Sequence, residues 1–367
     1  MRDDGAMAAR VMRAIMSQIG SGSVQYTMRW FGPEDPVALA SLRQVPGLDG
    51  VVTALSDVPA GVAWSRELVA ERAALLAEHG LTWLVVESIP VSEEIKTAGP
   101  LRDAHVEAWC ESLRQVAAAG VRTVCYNFMP VFDWMRTDFA MPLPDGSTAM
   151  SYDEADLARF DLSRGMERLA AWSSGYDGAQ LAAAFARYDD IDESGLRANL
   201  AAFLRDVVPV AEELGVRLAI HPDDPPWSIF GLPRIVKDAD DLRFIVDAVD
   251  SPANGLTFCT GALGANGAND LPVMAVDFAD RIAFVHARNV LRSGDRVFHE
   301  VAHHRSAGSI DLPAVMRRLL TAGVDVPIRP DHGRMLWGEQ AIPGYGLYDR
   351  AIGLAYLQGL EHGSAML

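Results

Sequence analysis

Basic side chains are scarce in this chain. Against 49 aspartates and glutamates stand 32 lysines and arginines, a formal net charge of −17 over 367 residues. No cluster of the kind that neutralises a phosphate backbone occurs, which argues against nucleic acid as a partner. An acidic surface also repels anions, so an anionic small molecule must meet positive charge that is placed locally. Cysteine is equally sparse, with Cys110, Cys125 and Cys259 alone. An odd, low count describes a reduced protein rather than a disulfide scaffold, and the cytoplasm is the expected compartment. No window approaches the roughly 20 uninterrupted apolar residues of a membrane span. The opening stretch MRDDGAMAARVMRAIMSQIGSGSVQ lacks the continuous apolar core of a signal peptide, and residues 1–25 read as a loosely held extension. The G-x-S-x-G nucleophile elbow is missing too, and Cys110 and Cys125 lie in a helical and a strand-like apolar pattern without a partner base. Covalent serine or cysteine catalysis is therefore not expected.

What the chain does have is half its residues hydrophobic, arranged as short β-type runs that alternate with amphipathic stretches. Eight runs stand out: YTMRWF (26–31), GVVTAL (50–55), TWLVVE (82–87), RTVCYNF (122–128), VRLAIH (216–221), GLTFC (255–259), RIAFVH (281–286) and VPIRPD (326–331). Continuous apolarity is the mark of parallel strands buried on both faces. Between them lie helical patterns such as 65–80, 104–120 and 195–215, closing on Gly80, Gly120 and Gly215, where a glycine ends a helix in a left-handed turn. Eight strand–helix units predict an α/β fold of the (β/α)₈ TIM-barrel class, one catalytic domain over 26–362. A doubly wound open sheet competes, but no glycine-rich phosphate loop follows the first strand. Residues 129–194 break the repeat and read as an insertion after strand four, the kind that builds a lid, a substrate wall or an oligomer contact.

His221, Cys259, His286 and Asp331 each end one of the last four runs. A single cysteine is usually a small buried hydrophobe and a single strand histidine a satisfied core residue. In a barrel, however, strand ends converge, and four ligand-type side chains at the same point of four successive strands predict one divalent metal site. Thiolate, imidazoles and carboxylate together suit Mn, Fe or Zn better than Mg or Ca. Asp223 and Asp224 in HPDDPP read as turn residues bonding their own backbone, so no second metal is assigned.

The segments ESIPV (87–91), CYNFMPVFDW (125–134), LPDGST (143–148), HPDDPP (221–226), FCTGALGA (258–265), VHARNV (285–290), IRPDHGRMLWGE (328–339) and PGYGLYDR (343–350) resemble those of mannonate dehydratases, from about Met28 to about Leu360. The resemblance implies a lyase on a xylose-isomerase-like barrel. Such an enzyme removes water from D-mannonate to give 2-keto-3-deoxy-D-gluconate, a step of hexuronate and glucuronate catabolism. It also implies one Mn²⁺ or Fe²⁺ per chain and places the metal ligands on the same four residues.

That reaction needs one group to take a proton from the carbon beside a carboxylate and another to protonate a departing hydroxyl. His332, directly after Asp331, and Tyr345 in PGYG are the proton-transfer candidates, with support from the resemblance. A ligand-orienting hydrogen bond for His332 and plain packing for Tyr345 are the alternatives. Which takes the proton and which gives it stays open. Arg288 or Arg334 is expected to meet the substrate carboxylate. His303, in a loop with His299 and His304, and Asn127 are expected at the hydroxyls, with Asp133 and Arg136 on the same rim and Trp30, Phe31 and Trp134 as candidate walls. A homo-oligomer is expected. Sugar isomerisation or epimerisation on the same barrel is the alternative chemistry, and a non-catalytic sugar-acid sensor the alternative class.

Overall fold

The computed structural model describes residues 24–160 and 178–364. Residues 1–23 of the expected extension and 161–177 of the expected insertion lie outside the described residues. Twelve strands occur among the described residues: β1 (Gln25–Arg29), β2 (Gly50–Thr53), β3 (Trp83–Glu87), β4 (Thr123–Tyr126), β5 (Asp138–Pro142), β6 (Thr148–Asp153), β7 (Arg217–Ile220), β8 (Asn254–Cys259), β9 (Ile282–His286), β10 (Asn289–Gly294), β11 (Val297–Val301) and β12 (Pro327–Arg329). Eight close a parallel barrel in the order β1-β12-β9-β8-β7-β4-β3-β2. These eight are the apolar runs read from the sequence. Closure is made by β12 against β1, with Tyr26 opposite Ile328.

Five of the barrel strands, β2, β3, β4, β7 and β9, send side chains to an inner core as well as to the outer one, because neighbours on a strand face opposite ways. Val52 and Val85 join Cys125, Ala219, Ala283 and Phe284 in a small core of their own, the filled barrel interior. Val51 and Val86, one residue away, pack in the larger core between strands and helices. Two residues on from Val85 and Phe284, Glu87 and His286 fall on the inward face at the strand ends. Period two thus delivers polar groups to the barrel mouth.

The helices cover the outside, and local signals set their limits. Ser65, Asp192, Asp238 and Asp311 each accept a backbone N–H at the start of helices Arg66–Glu78, Glu193–Leu214, Ala239–Ala248 and Leu312–Thr321. Helix Glu193–Leu214 stops at Gly215, whose φ of 63° suits glycine. Phe203 of that helix meets Trp109 at 5.2 Å between ring centroids and Tyr126 at 5.9 Å, joining two helices to β4 in an edge-packed aromatic cluster. No helix among the described residues is long and apolar enough to cross a membrane.

The sequence reading lacks one element. β5 and β6, from the stretch after β4, join β10 and β11, from the stretch after β9, in a four-stranded sheet of order β10-β11-β6-β5. All four strands follow the carboxyl ends of barrel strands, so the sheet lies on the face where the candidate ligands converge. The polar run FHEVAHHR, expected as a loop, begins inside β11.

Removing the ring at the centre of the aromatic cluster tests the packing. Phe203→Ala is expected to cost about 3–5 kcal/mol and to lower the calorimetric melting temperature by several degrees without changing the folded circular-dichroism spectrum.

Candidate active site

The barrel mouth holds a cavity of about 260 Å³ lined by residues from nearly every strand end, among them Arg29, Glu87, Asn127, Trp134, His221, Arg329, Asp331, His332 and Tyr345. His221, Cys259 and His286 bring one ligand atom each within 4.8 Å of one another. Hydrogen bonding decides which imidazole nitrogens face inward. His221 Nδ1 lies 2.7 Å from the Pro222 carbonyl, which only an N–H can satisfy, so its Nε2 carries the lone pair. His286 Nε2 lies 3.6 Å from Glu87 Oε2, where a carboxylate favours the ring proton, so the lone pair falls on Nδ1, which also lies 3.5 Å from Arg329 Nη2. His221 Nε2 and His286 Nδ1 face each other across 3.1 Å. Cys259 Sγ, which accepts the Ala262 N–H at 3.4 Å, is 3.8 Å from Asp331 Oδ2, and that oxygen is 3.8 Å from His286 Nδ1.

Two nitrogens bound to one ion at about 2.1 Å can be no more than about 4.2 Å apart, and a sulfur–oxygen pair no more than about 4.4 Å. All three separations meet that limit. The donor set is soft, borderline and hard in the proportions suited to a first-row transition ion, and Glu87 behind His286 is the carboxylate that commonly orients a ligand histidine. His221, Cys259 and His286 fit a divalent metal, while Asp331, 3.8 Å from two of them, falls outside the group whose donor atoms all lie within 4.8 Å of one another.

A second group, Glu87, Cys125 and His286, also lies close together, but it is poorly suited to an ion. Burial, with the Glu87 charge beside it, pushes the Cys125 thiol well above its ordinary value, and the thiol already accepts the Thr257 hydroxyl at 3.2 Å. Glu87 is committed to Arg329 at 3.0 Å.

His332 and Tyr345, expected together, are together: His332 Nε2 is 2.8 Å from the Tyr345 hydroxyl. Phe31 packs edge-on against the Tyr345 ring at 4.6 Å and Trp134 against His332 at 5.6 Å. Burial pushes the Tyr345 hydroxyl above its ordinary value, although Arg329 pulls the other way. It therefore stays an O–H at neutral pH. Burial alone would raise the Asp331 carboxyl, but His332, Arg329, His286 and Arg288 hold it well below the usual range.

Three expected substrate residues sit elsewhere. Arg288 is fully buried and its guanidinium is spent on Asp331 Oδ2 at 2.7 Å, Glu300 at 2.9 and 3.0 Å and Asp224 at 2.8 Å. Arg334 pairs with Asp349 at 2.9 Å and Asp145 at 2.9 Å. His303 is buried against the Pro330 carbonyl at 2.7 Å, bracing the turn that carries Asp331 rather than lining the cavity. Asn127 and Asp133 do line it, while Arg136 is buried on Asp224 and Glu300. Asp223 accepts the backbone N–H groups of Ile235 and Val236, well beyond its own turn, and Asp224 pairs with Arg136 and Arg288, so neither bonds its own backbone as the sequence suggested. Of the candidate walls, Phe31 and Trp134 line the cavity and Trp30 is packed in the core.

The sequence reading missed the cations that face the cavity, Arg29 and Arg329, and the carboxylates Glu87 and Glu300. Burial pulls Arg29 down to about 10, still charged at neutral pH. Arg329 Nε and Nη1 are buried without hydrogen-bond partners among the described residues. The signal was present for three of them: Arg29, Glu87 and Arg329 are charged residues inside or ending apolar runs, as conspicuous as the metal-ligand candidates.

Comparison with known proteins finds relatives over most of the chain. The family described as D-mannonate dehydratase (UxuA) matches residues 24–366. Mannonate dehydratase 2 of Halalkalibacterium halodurans is 47% identical over 339 residues, covering 92% of this chain and 98% of that protein. The mannonate dehydratase of Thermotoga neapolitana is 47% identical over 348 residues, covering 92% and 97%. The crystal structure of mannonate dehydratase from Streptococcus suis serotype 2 superposes with a TM-score of 0.87 at 43% identity, over 94% of this chain and 95% of that one. A D-allulose 3-epimerase from Methylomonas sp. shares the fold alone, at 14% identity and a TM-score of 0.55 over 93% and 98% of the two chains.

Within FCTGALGA, Gly261 has a steric task. A Cβ there would fall 2.2 Å from Arg288 Cζ. Gly261→Ala must displace a guanidinium that holds a ligand carboxylate, and breaking a buried ion pair costs about 3–5 kcal/mol. The variant is expected to melt lower and to bind metal more weakly than the parent, read by calorimetry and by metal analysis after dialysis.

Proposed function

The chain belongs to the D-mannonate dehydratase family and is a metal-dependent hydro-lyase, and from that premise we propose how its own residues remove water from D-mannonate to give 2-keto-3-deoxy-D-gluconate. His221, Cys259, His286 and Asp331 would hold one ion, Mn²⁺ or Fe²⁺. When bound, such an ion supplies a Lewis acid that stabilises negative charge on substrate oxygens.

The observation that carries the reading is the 2.8 Å contact between His332 Nε2 and the Tyr345 hydroxyl, in the same cavity as the ligand atoms. The reaction moves two protons: one leaves the carbon beside the carboxylate, the other joins the hydroxyl that departs from the next carbon as water. A neutral imidazole can accept a proton and a phenol kept protonated by burial can donate one, so the two groups divide these tasks. The substrate carboxylate meets Arg329, whose Nε and Nη1 have no other partner among the described residues, with Arg29 beside it. Asn127 offers an amide to a hydroxyl. Phe31 and Trp134 keep bulk water from the proton-transfer pair, which strengthens every charge interaction inside. Arg288 and His303 serve the same site from behind, bracing Asp331 and Pro330.

A cytoplasmic setting and an assembly of like subunits belong to this reading. The three cysteines are all buried and free. Trp337, 77% exposed on the turn after β12 and packed on Tyr348, supports a protein contact near the mouth.

The deciding experiment strips the purified protein with chelator, restores Mn²⁺, Fe²⁺ or Zn²⁺, and follows 2-keto-3-deoxy acid from D-mannonate. Product that depends on added Mn²⁺ or Fe²⁺ is expected; none with any ion would refute the proposal. Cys259→Ser is expected to lose bound metal and turnover together. His332→Asn should keep its metal and lose about 10²- to 10⁴-fold in kcat. An unchanged metal content in the cysteine variant would remove Cys259 from the ligand set.

A further inference from the structure

The four-stranded sheet over the barrel mouth sends one charged side chain into the site. Glu300, in the middle of β11, is fully buried, paired across the strands with Val290. Its Oε1 accepts from Arg136 Nη2 at 2.8 Å and from Arg288 Nη1 at 2.9 Å, and lies 3.1 Å from His332 Nδ1. Its Oε2 accepts from Arg288 Nη1 at 3.0 Å. Burial alone would raise this carboxyl, but Arg288, His332 and Arg136 hold it well below the usual carboxylate range. It is a fixed anion.

A carboxylate only accepts, so the Glu300–His332 contact requires a proton on Nδ1. In the neutral ring Nε2 then carries the lone pair, and the Tyr345 hydroxyl donates to it at 2.8 Å. We propose that Glu300 is a positioning residue for the dehydration: it fixes the Nδ1-protonated tautomer of His332 and aims Nε2, as a proton acceptor, at Tyr345 and the cavity. The inference rests on His332 being a proton-transfer group of the dehydratase. The logic is that of any base whose orientation a third group sets. Here the third group is delivered by the second sheet, while base and phenol come from the segment after the last barrel strand. The sheet is thereby part of the machinery and not only a cover.

The competing role for Glu300 is structural, because Arg136 and Arg288 both depend on it. A cycle of Glu300→Gln and His332→Asn, singly and together, on Mn²⁺-loaded protein separates the two. Glu300→Gln is expected to lower kcat about 100-fold, to leave KM for D-mannonate within about threefold, and to retain one metal per chain. In the His332→Asn background it should add almost nothing, since the ring it positions is gone. An equal loss in both backgrounds, or a kcat near that of the parent, overturns the proposal. Should Glu300→Gln not fold, Glu300→Asp keeps the anion between the arginines with a shorter reach to His332. It is expected to show the same loss, and parental kcat would again overturn the inference. Nitrogen NMR of the ¹⁵N-histidine-labelled parent reads the tautomer with no turnover needed. Nδ1-protonated His332 is expected, and Nε2-protonated His332 sinks the idea even where the dehydratase reading stands. A parent that is inactive on D-mannonate but shows the expected tautomer instead fails the dehydratase reading alone.

Discussion

Charge buried at the barrel mouth must be paired, and most of the site follows from how this chain does it. Arg136 and Arg288 are fully buried, and each bridges Asp224 and Glu300, closing a ring of alternating sign. Taking such ions out of water costs several kcal/mol apiece, which the mutual pairing offsets, although Arg136 Nε is left buried without a partner among the described residues. The ring's members come from the stretch before β5, the turn after β7, the segment after β9 and the middle of β11. Arg288 Nε reaches on to Asp331 after β12. Segments that follow different barrel strands are tied to one another by five ion pairs. The candidate metal ligand Asp331 and the candidate base His332 are both held by members of this ring, through Arg288 Nε and Glu300 Oε1.

The second sheet makes the closure possible. A ring of guanidiniums and carboxylates open to water would be screened and loosely held, whereas one covered on its outer side gains from the low local dielectric. Tyr152 of β6 stacks on Phe298 of β11 at 5.7 Å, and Arg136 lies 4.9 Å from the Phe298 ring centre. The sheet therefore covers the ring with aromatic faces and contributes Glu300 from the same strand. Gly261 does the complementary task below, leaving out a side chain where the Arg288 guanidinium lies. Sequence motifs that look like loop decoration, FCTGALGA and FHEVAHHR, are the two sides of one buried arginine.

These contacts divide what the sequence could and could not disclose. The eight barrel strands were legible because a parallel strand buried on both faces is a continuous apolar run, and the run itself is the signal. His221, Cys259, His286 and Asp331 were legible because they end those runs. Strands β5, β6, β10 and β11 were not. They are as long as the barrel strands, but β5 and β10 lack a continuous buried run, and β6 pairs with β11 far along the chain, Tyr152 opposite Phe298, so no local pattern announces the partnership. The misreading of Arg288 as a carboxylate receptor has the same origin. Position two residues beyond a strand end says that an arginine is near the mouth, but not that a distant strand will bring Glu300 against it. Arg329 faced the opposite fate: one residue before the proline of VPIRPD it read as part of a strand, yet it is the guanidinium left with unused N–H groups in the cavity.

Counting charge along the linked ion pairs gives a reason for the substrate class. Arg136, Arg288 and Arg329 are joined to Glu87, Asp224, Glu300 and Asp331, one carboxylate in excess. Arg29, whose charge acts on Glu87, offsets that excess within the linked groups, and Asp133 adds one more carboxylate at the cavity wall. A divalent ion with the Cys259 thiolate would add a single net positive charge in a place with little water to screen it. Arg329 has the unused N–H groups that a substrate carboxylate can meet. The chain's overall acidity sharpens the point: with −17 on the whole molecule, an anion is drawn in only where the fold places cations locally, and at the mouth those are Arg29 and Arg329.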